Sequence, residues 1–401
     1  MLRKPDLLNK TRKWLVFHRG YARFNGSHEK LSKFATGIAV MTGMVGGVVY
    51  CLEKYGISYP VHARFNAKNI RDVCNTYMAK PVTDIYELER NADKVSSKME
   101  HLIMKTQVDI CRELERLEGR NFAIDEWSKE NNTGGGVTCI LQDGKVFEKA
   151  GVNVSVVRGS LSENLEKQMR ARGKHYTRKK DGTLPFVAMG VSSVIHPTNP
   201  HCPTLHFNFR YFEVVDGKGK RTWWFGGGCD LTPMYLVEDE VTQFHKAWKN
   251  ACDKHDPSYY EKFKKWCDDY FFIKIRNERR GVGGIFFDDL EAENPQEIFD
   301  FVTSCCGAII PSYIPIIESN MNKEFTEEQK AWQQLRRGRY VEFNFIYDRG
   351  TKFGFVTPGA RIESILMSLP LTARWEYMHT PKLGTPEYEL LEVLKEPRDW
   401  V

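Results

Sequence analysis

Residues 205–215 run Leu-His-Phe-Asn-Phe-Arg-Tyr-Phe-Glu-Val-Val, and the alternation is strict at their centre. A period of two puts successive side chains on opposite faces of a strand. His206, Asn208 and Arg210 therefore share one face, and Phe207, Phe209 and Tyr211 the other. The aromatic face must be buried. The polar face lacks the Lys, Glu and Thr of an ordinary solvated surface, which points to a lined pocket. Phe186 to Ile195, rich in β-branched and apolar residues, predicts a preceding strand that stops at His196-Pro197. Asp216-Gly217-Lys218-Gly219 is turn chemistry. Arg221 to Phe225 returns as a third strand, expected to end at Gly226-Gly227-Gly228.

Around this core the pattern is mixed. Between Asn69 and Gly119, apolar residues fall at helical spacing, with Pro81 as a break, Thr83 or Asp84 as a cap and Gly119 as a stop. Gly134 to Arg158 reads as a hairpin turning at residues 142–145, and Ser160 to Arg172 as a helix. Helices are expected over Val237–His255 and Pro257–Glu278. A glycine-rich turn follows, with a short strand ending in Asp288-Asp289. Glu297–Asn320 and Thr326–Arg337 read as helices, Tyr340–Tyr347 and Phe353–Val356 as strands, and Ile362–Ser368 and the start of the tail from Pro386 as helices. Adjacent hairpins with helices before, between and after them imply an α+β fold built on a large, mainly antiparallel sheet.

The chain has 401 residues, 41% of them hydrophobic, which is ample for one large core. The net charge of +6 is misleading as a whole-chain figure. Residues 1–52 hold nine Lys or Arg against Asp6 and Glu29, so the rest of the chain is close to neutral. A nucleic-acid-binding face is not indicated. The basic start and the uncharged run 34–52 predict a leader over residues 1–60, followed by one catalytic domain over 61–401. Three readings of the leader stay open: a bipartite mitochondrial presequence, a retained anchor with loose membrane association, and a secretory signal. The ten cysteines show no C-x-x-C pair or zinc-like spacing, so reduced, mostly buried thiols are expected. No G-x-G-x-x-G follows a strand, and the triple glycine leads into Cys-Asp-Leu-Thr-Pro. Neither flavin, nicotinamide nor ATP has a sequence basis.

The strings SSVIHPTNPHCPTLHFNFRYFE, WWFGGGCDLTP, ERRGVGGIFFDDL, RGRYVEFNFIYDRGTKFGF and TPGARIESILMSLPLTARWEY resemble oxygen-dependent coproporphyrinogen III oxidase, in order from about Met78 to Val401. The resemblance implies a flat antiparallel sheet covered by helices on both sides. It also implies a homodimer with an interface near 141–150 and 340–376, and a location in the mitochondrial intermembrane space. The implied reaction converts two propionates of coproporphyrinogen III to vinyl groups with dioxygen as co-substrate and no cofactor. A catalytically impaired porphyrin-binding paralogue and a metal-dependent oxygenase are the alternatives.

The candidate residues follow from that substrate. His206 is a proton donor or acceptor near neutral pH, and its match in the resembled family is the proposed proton donor. Arg210, Arg280, Arg349 and Arg361 suit a ligand with four carboxylates, since a guanidinium fork holds a carboxylate by two parallel hydrogen bonds. Ser192, Asn208, Phe209 and the backbone at Gly359, Ala360 and Arg361 match substrate-contact positions of the resembled family. The reduced macrocycle turns four pyrrole N–H donors inward, and a carboxylate is their natural acceptor. Asp348, after a strand-like run and before Arg349, is assigned that role, with Asp230 as a second candidate. Asp288 and Asp289 are read as structural, either capping or pairing with Arg279 or Arg280. No metal is expected. His196, His206 and His245 match three histidines assigned to a metal in bacterial relatives, but Ile275 stands where those relatives have the fourth.

Overall fold

The structure, a computed structural model, describes residues 70–129, 133–356 and 360–401. The expected leader, its apolar run and Gly359 lie outside the described residues, which all fall within one compact unit. The chain enters through two short helices, α1 (Ile70–Cys74) and α2 (Ile85–Arg90), the second capped by the Asp84 side chain as its sequence suggests. The long helix α3 (Val95–Glu118) ends on Gly119, whose φ of 75° is cheap only for glycine.

Seven strands then form one antiparallel sheet in the order β1-β2-β3-β4-β5-β6-β9. They are β1 (Ala123–Ser128), β2 (Gly134–Gln142), β3 (Phe147–Ser160), β4 (Pro185–Pro197), β5 (Thr204–Val215), β6 (Arg221–Thr232) and, after an excursion, β9 (Gly284–Leu290). Helix α4 (Glu163–Ala171) sits between β3 and β4. The excursion holds α5 (Glu238–Asp253), α6 (Tyr259–Tyr270) and a two-stranded ribbon, β7 (Phe272–Ile273) with β8 (Glu278–Arg279). The remaining helices are α7 (Pro295–Asn320), α8 (Glu327–Ile346), α9 (Arg349–Val356), α10 (Ile362–Leu366) and α11 (Pro386–Lys395).

Register explains why the sheet has two unlike faces. One row of paired residues runs Val137, Val154, Val191, Phe209, Gly227 and Phe287; the next runs Cys139, Val152, Ser193, Phe207, Cys229 and Ile285. These side chains are buried and form the core against α3, α5 and α7. Each apolar side chain of this size contributes about 1.5–3 kcal/mol when withdrawn from water. Helix α7 is long and apolar enough to cross a bilayer, yet 72% of its most apolar window is buried inside the fold, so it serves here as a core helix. The nine cysteines among the described residues are all buried and unpaired.

The other face reads differently. Its central row is Asp125, Thr138, Asn153, Ser192, Asn208, Gly228 and Phe286. A flanking row carries Gly136, Ser155, Gly190, Arg210 and Gly226, and another Ile140, Gly151, Val194, His206 and Asp230. Apart from Ile140, Val194 and Phe286 the side chains here are small or polar, and Asn153, Ser192, His206, Asn208 and Arg210 are only partly buried. Helices α8 and α10 cover one margin of it. Glu148 accepts hydrogen bonds from Arg337, from Lys330 at 3.4 Å, and from the Thr372 amide and hydroxyl, both at 3.0 Å. The wholly buried Arg337 also donates to the Pro197 carbonyl at 2.7 Å, which ties α8 to the end of β4.

Several elements depart from the sequence reading. Strand β6 does not stop at the triple glycine but runs through it to Thr232. A side chain at Gly228 would collide with the Ile285 carbonyl of β9, so glycine here brings two strands together. Residues 340–347 read as a strand, but 340–346 continue helix α8 with Tyr347 as its C-cap, and 353–356, read likewise, belong to α9. Helix α6 ends at Tyr270, before the expected Glu278.

Candidate functional site

The polar row of β5 is where the predicted residues gather. His206 faces Asp230 across the β5–β6 ladder, and its Nδ1 lies 2.7 Å from Asp230 Oδ1. Arg280, at the turn before β9, grips the same carboxylate with two donors, Nε to Oδ2 at 3.0 Å and Nη2 to Oδ1 at 2.8 Å. Both side chains are 2% exposed. Three rings cage the guanidinium: Phe271 at 3.9 Å, Tyr340 at 4.7 Å and Phe343 at 4.9 Å from its carbon to the ring centres. Burial pushes the Asp230 carboxyl upward, but Arg280 and His206 outweigh it and hold it below its ordinary value. Arg280 is thus committed to Asp230. It orients the carboxylate that orients His206 and presents no free fork to a ligand.

A second cluster centres on Asp288, at the Arg210 end of the same polar row. Asp288 Oδ1 takes Arg210 Nη2 at 2.9 Å, and Oδ2 takes Arg349 Nη2 at 3.4 Å. Arg210 also donates to Asn208 Oδ1 at 2.9 Å. The sequence reading had Asp288 and Asp289 capping or pairing with Arg279 or Arg280; Asp288 accepts the Asp289 amide at 3.0 Å but pairs with two other candidate arginines, and Asp289 pairs with Arg172 at 3.4 Å. Arg279 reaches the Lys395 carbonyl. Asp288 was missed because its partners are 78 and 61 residues away in the chain, a separation no local pattern encodes.

Asp348 sits in the break between α8 and α9. Its Oδ2 accepts the Thr351 amide at 2.6 Å, and its Oδ1 accepts the Tyr270 hydroxyl at 3.0 Å. The carboxylate is half-buried, and its charge acts on both Arg280 and Tyr340. Arg361 lies at the other side of the sheet, where it pairs with Asp125 and approaches Thr138 Oγ1 at 3.5 Å. With strands about 4.8 Å apart, Thr138 on β2 and Arg210 on β5 stand roughly 14 Å from one another across the sheet. Ser192 and Asn208 pair directly in the central row, between these two ends. Ala360 adjoins Arg361. Phe209 does not share this surface: its ring is wholly buried in the opposite layer, 6.4 Å from Phe287, leaving only its backbone near the polar row.

The three histidines that match metal positions are not gathered. His196 Nε2 meets the Ser368 carbonyl at 3.0 Å, His206 meets Asp230, and His245 meets the Tyr260 hydroxyl at 2.9 Å and the Val282 carbonyl at 3.1 Å. Ile275 is exposed in the β7–β8 turn, its amide donated to the Tyr347 hydroxyl at 3.1 Å. Among the described residues, no three His, Cys, Asp or Glu side chains form a metal-sized group.

Burial pushes His196 well below its ordinary 6.5, helped by Arg337, and takes His245 down to about 3. Unfolding restores the ordinary value, so the unfolded chain binds protons that the native state refuses. The stability these neutral rings allow is intact above about pH 6.5. It declines as pH falls toward the native values, by about 1.4 kcal/mol per pH unit for each ring. Denaturant midpoints of wild type and His245→Gln at pH 7 and pH 5 test this. The variant is expected to show the shallower loss, and equal losses would refute it.

Gly226 makes a separate point. A Cβ there would stand 2.7 Å from Arg210 Nε and 2.7 Å from Asp288 Oδ1. Both are ends of side chains that can swing aside. Gly226→Ala is therefore expected to fold yet disturb the Arg210–Asp288 pair, raising KM about tenfold with little change in melting temperature. Steady-state kinetics beside a thermal melt would show it.

The arrangement combines an oriented imidazole, a half-buried carboxylate and guanidinium groups at both ends of a polar sheet face. Comparison with known proteins agrees with that chemistry. The family described as coproporphyrinogen III oxidase matches residues 98–400. The chain is 61% identical over 329 residues to a human protein named oxygen-dependent coproporphyrinogen-III oxidase, mitochondrial, covering 82% of this chain and 72% of that one. A Drosophila melanogaster oxygen-dependent coproporphyrinogen-III oxidase is 59% identical over 327 residues, covering 81% and 83%. An Arabidopsis thaliana coproporphyrinogen-III oxidase 1, chloroplastic, is 54% identical over 316 residues, covering 78% and 81%. With three quarters of its length matched by the family and this identity to its members, the chain belongs to the coproporphyrinogen III oxidase family.

Proposed function

We propose that this chain oxidatively decarboxylates the ring A and ring B propionates of coproporphyrinogen III to vinyl groups, giving protoporphyrinogen IX in haem biosynthesis. The observation that carries the reading is one polar sheet face bearing the His206–Asp230 pair and the Asp288-bridged arginines, with Asp348 at its margin, in a chain of this family. For each group, one propionate carboxylate, one dioxygen and one proton yield a vinyl group, carbon dioxide and hydrogen peroxide. The reaction proceeds without a cofactor. An electron-rich porphyrinogen pyrrole, once it loses its N–H proton, reduces dioxygen directly, and the protein supplies position and charge. Asp348 accepts the pyrrole N–H groups, His206 moves a proton, and Arg210, Arg349 and Arg361 hold propionates. Arg280 holds Asp230 in place of a propionate.

The protein is mitochondrial in this reading, in line with the names of its mammalian relatives, and the intermembrane space is the compartment that a bipartite leader predicts. It works as a homodimer with its interface near 141–150 and 340–376. Exposed Phe345, Ile346, Phe355, Ile362, Leu371 and Trp375 all fall in the second of these segments and would gain from burial.

The test is direct. Protein from Ala63 onward, purified with chelator present, is given coproporphyrinogen III with and without oxygen. Oxygen-dependent protoporphyrin fluorescence after oxidation is expected. Binding without product would overturn the reading in favour of an inactive paralogue, and activity restored only by one metal would replace the cofactor-free route.

A further inference from the structure

Tyr270 was not singled out by the sequence, yet it touches both members of the Asp348-Arg349 pair. It is the last residue of α6, 78 residues before Asp348. Its hydroxyl donates to Asp348 Oδ1 at 3.0 Å and accepts the Arg349 backbone N–H at 3.2 Å. Its ring lies flat on Phe286, centroids 4.2 Å apart and planes 11° apart, while the Arg349 guanidinium stands 5.0 Å from the ring centre. Phe286 belongs to the sheet row of Asn208 and Ser192. A continuous path therefore leads from the sheet through one stack to one phenol, and from that phenol to the carboxylate and the neighbouring arginine.

The need for such an anchor follows from where Asp348 lies. The α8–α9 break fixes no side-chain direction by itself. The Thr351 amide holds Oδ2, but it belongs to the helix that Asp348 itself begins, so it cannot register the carboxylate against the sheet. The Tyr270 hydroxyl can. A ring that only filled space would stack on Phe286 equally well as phenylalanine.

We propose that Tyr270 is a positioning residue for the oxidase reaction: its hydroxyl registers Asp348 and Arg349 against the substrate-facing sheet. The inference rests on the reading of Asp348 as the acceptor of the pyrrole N–H groups. Tyr270 acts through Asp348 and need not touch the substrate. Its loss should fall on turnover rather than on substrate affinity, because the carboxylate remains but is no longer aimed.

The full chain carrying Tyr270→Phe, Phe286→Leu or Asp348→Ala is assayed for oxygen-dependent protoporphyrin formation beside a thermal melt. Tyr270→Phe is expected to lose about 10- to 100-fold in kcat, the range for a hydrogen bond to a charged group, with KM and melting temperature near wild type. Phe286→Leu keeps the hydroxyl but loosens its support, and should lower kcat in the same direction by less. Wild-type kcat in Tyr270→Phe beside an inactive Asp348→Ala would overturn the proposal, as would a lowered melting temperature with unchanged kcat, the mark of a space-filling ring. Near-normal turnover in Asp348→Ala would instead overturn the reading of Asp348, a distinguishable failure.

Discussion

Asp348→Ala is expected to lower kcat by on the order of 100-fold or more, the scale seen when one pre-aimed polar group is removed from an active site. The fold should survive. Asp348 is half-buried, and its structural duty is to accept the Thr351 amide at the start of α9. Losing such a cap costs about 1 kcal/mol. Asp348→Asn separates the two duties, because its amide oxygen still accepts the Thr351 N–H while the group loses its charge. If charge and acceptor capacity are what the substrate needs, Asn should be nearly as inactive as Ala but melt closer to wild type. Turnover measured with saturating substrate and oxygen, beside a thermal melt, decides it. An active Ala variant would remove the central carboxylate from the mechanism.

The largest stability effect should come from Arg280→Ala. Its guanidinium is buried, bonded twice to Asp230 and walled by three rings. Removing one member of a buried pair leaves the other as an uncompensated charge, which costs about 3–5 kcal/mol. That is a large share of the roughly 5–15 kcal/mol by which a domain is stable. The replacement Arg280→Met with Asp230→Asn removes both charges and should recover part of the loss. Denaturant unfolding of the single and double variants would show it, and a single variant within 1 kcal/mol of wild type would contradict the argument. Turnover should fall in both, since the carboxylate that orients His206 loses its own anchor in the single variant and is replaced by an amide in the double.

How far the sequence led depends on how local each determinant is. The alternation in β5 was readable because a strand buried on one face must repeat every two residues. The cap at Asp84 and the stop at Gly119 were readable because they satisfy their own helix. Residues 340–347 misled for a definite reason. Glu342 and Asn344 alternate with Phe343, Phe345 and Tyr347, yet Tyr340, Phe343, Asn344 and Tyr347 also recur at helical spacing. Tertiary packing selects the second pattern: Tyr340 and Phe343 close on Arg280, and Tyr347 packs beside Phe343. The capping box of Thr326 and Gln329 starts that helix, and nothing interrupts it before Asp348-Arg349-Gly350. The triple glycine misled because glycine both ends strands and lets strands approach closely, and only the neighbouring strand distinguishes the two uses. In the site, the row His206, Asn208, Arg210 was visible in sequence. Arg280's commitment to Asp230, the bridge at Asp288 and the phenol of Tyr270 were not, since each depends on residues brought together from distant segments.

The buried thiols acquire a meaning from the proposed products. In the proposed reaction every vinyl group formed releases a molecule of peroxide, and the thiolate is the form of cysteine that peroxide attacks. All nine described cysteines are enclosed, and burial pushes the thiols of Cys229, Cys267 and Cys305 well above their ordinary range. A catalyst of that proposed reaction thus keeps the thiols of Cys229, Cys267 and Cys305 protonated and all nine out of reach, while the thioether of Met378 stands 81% exposed at the surface.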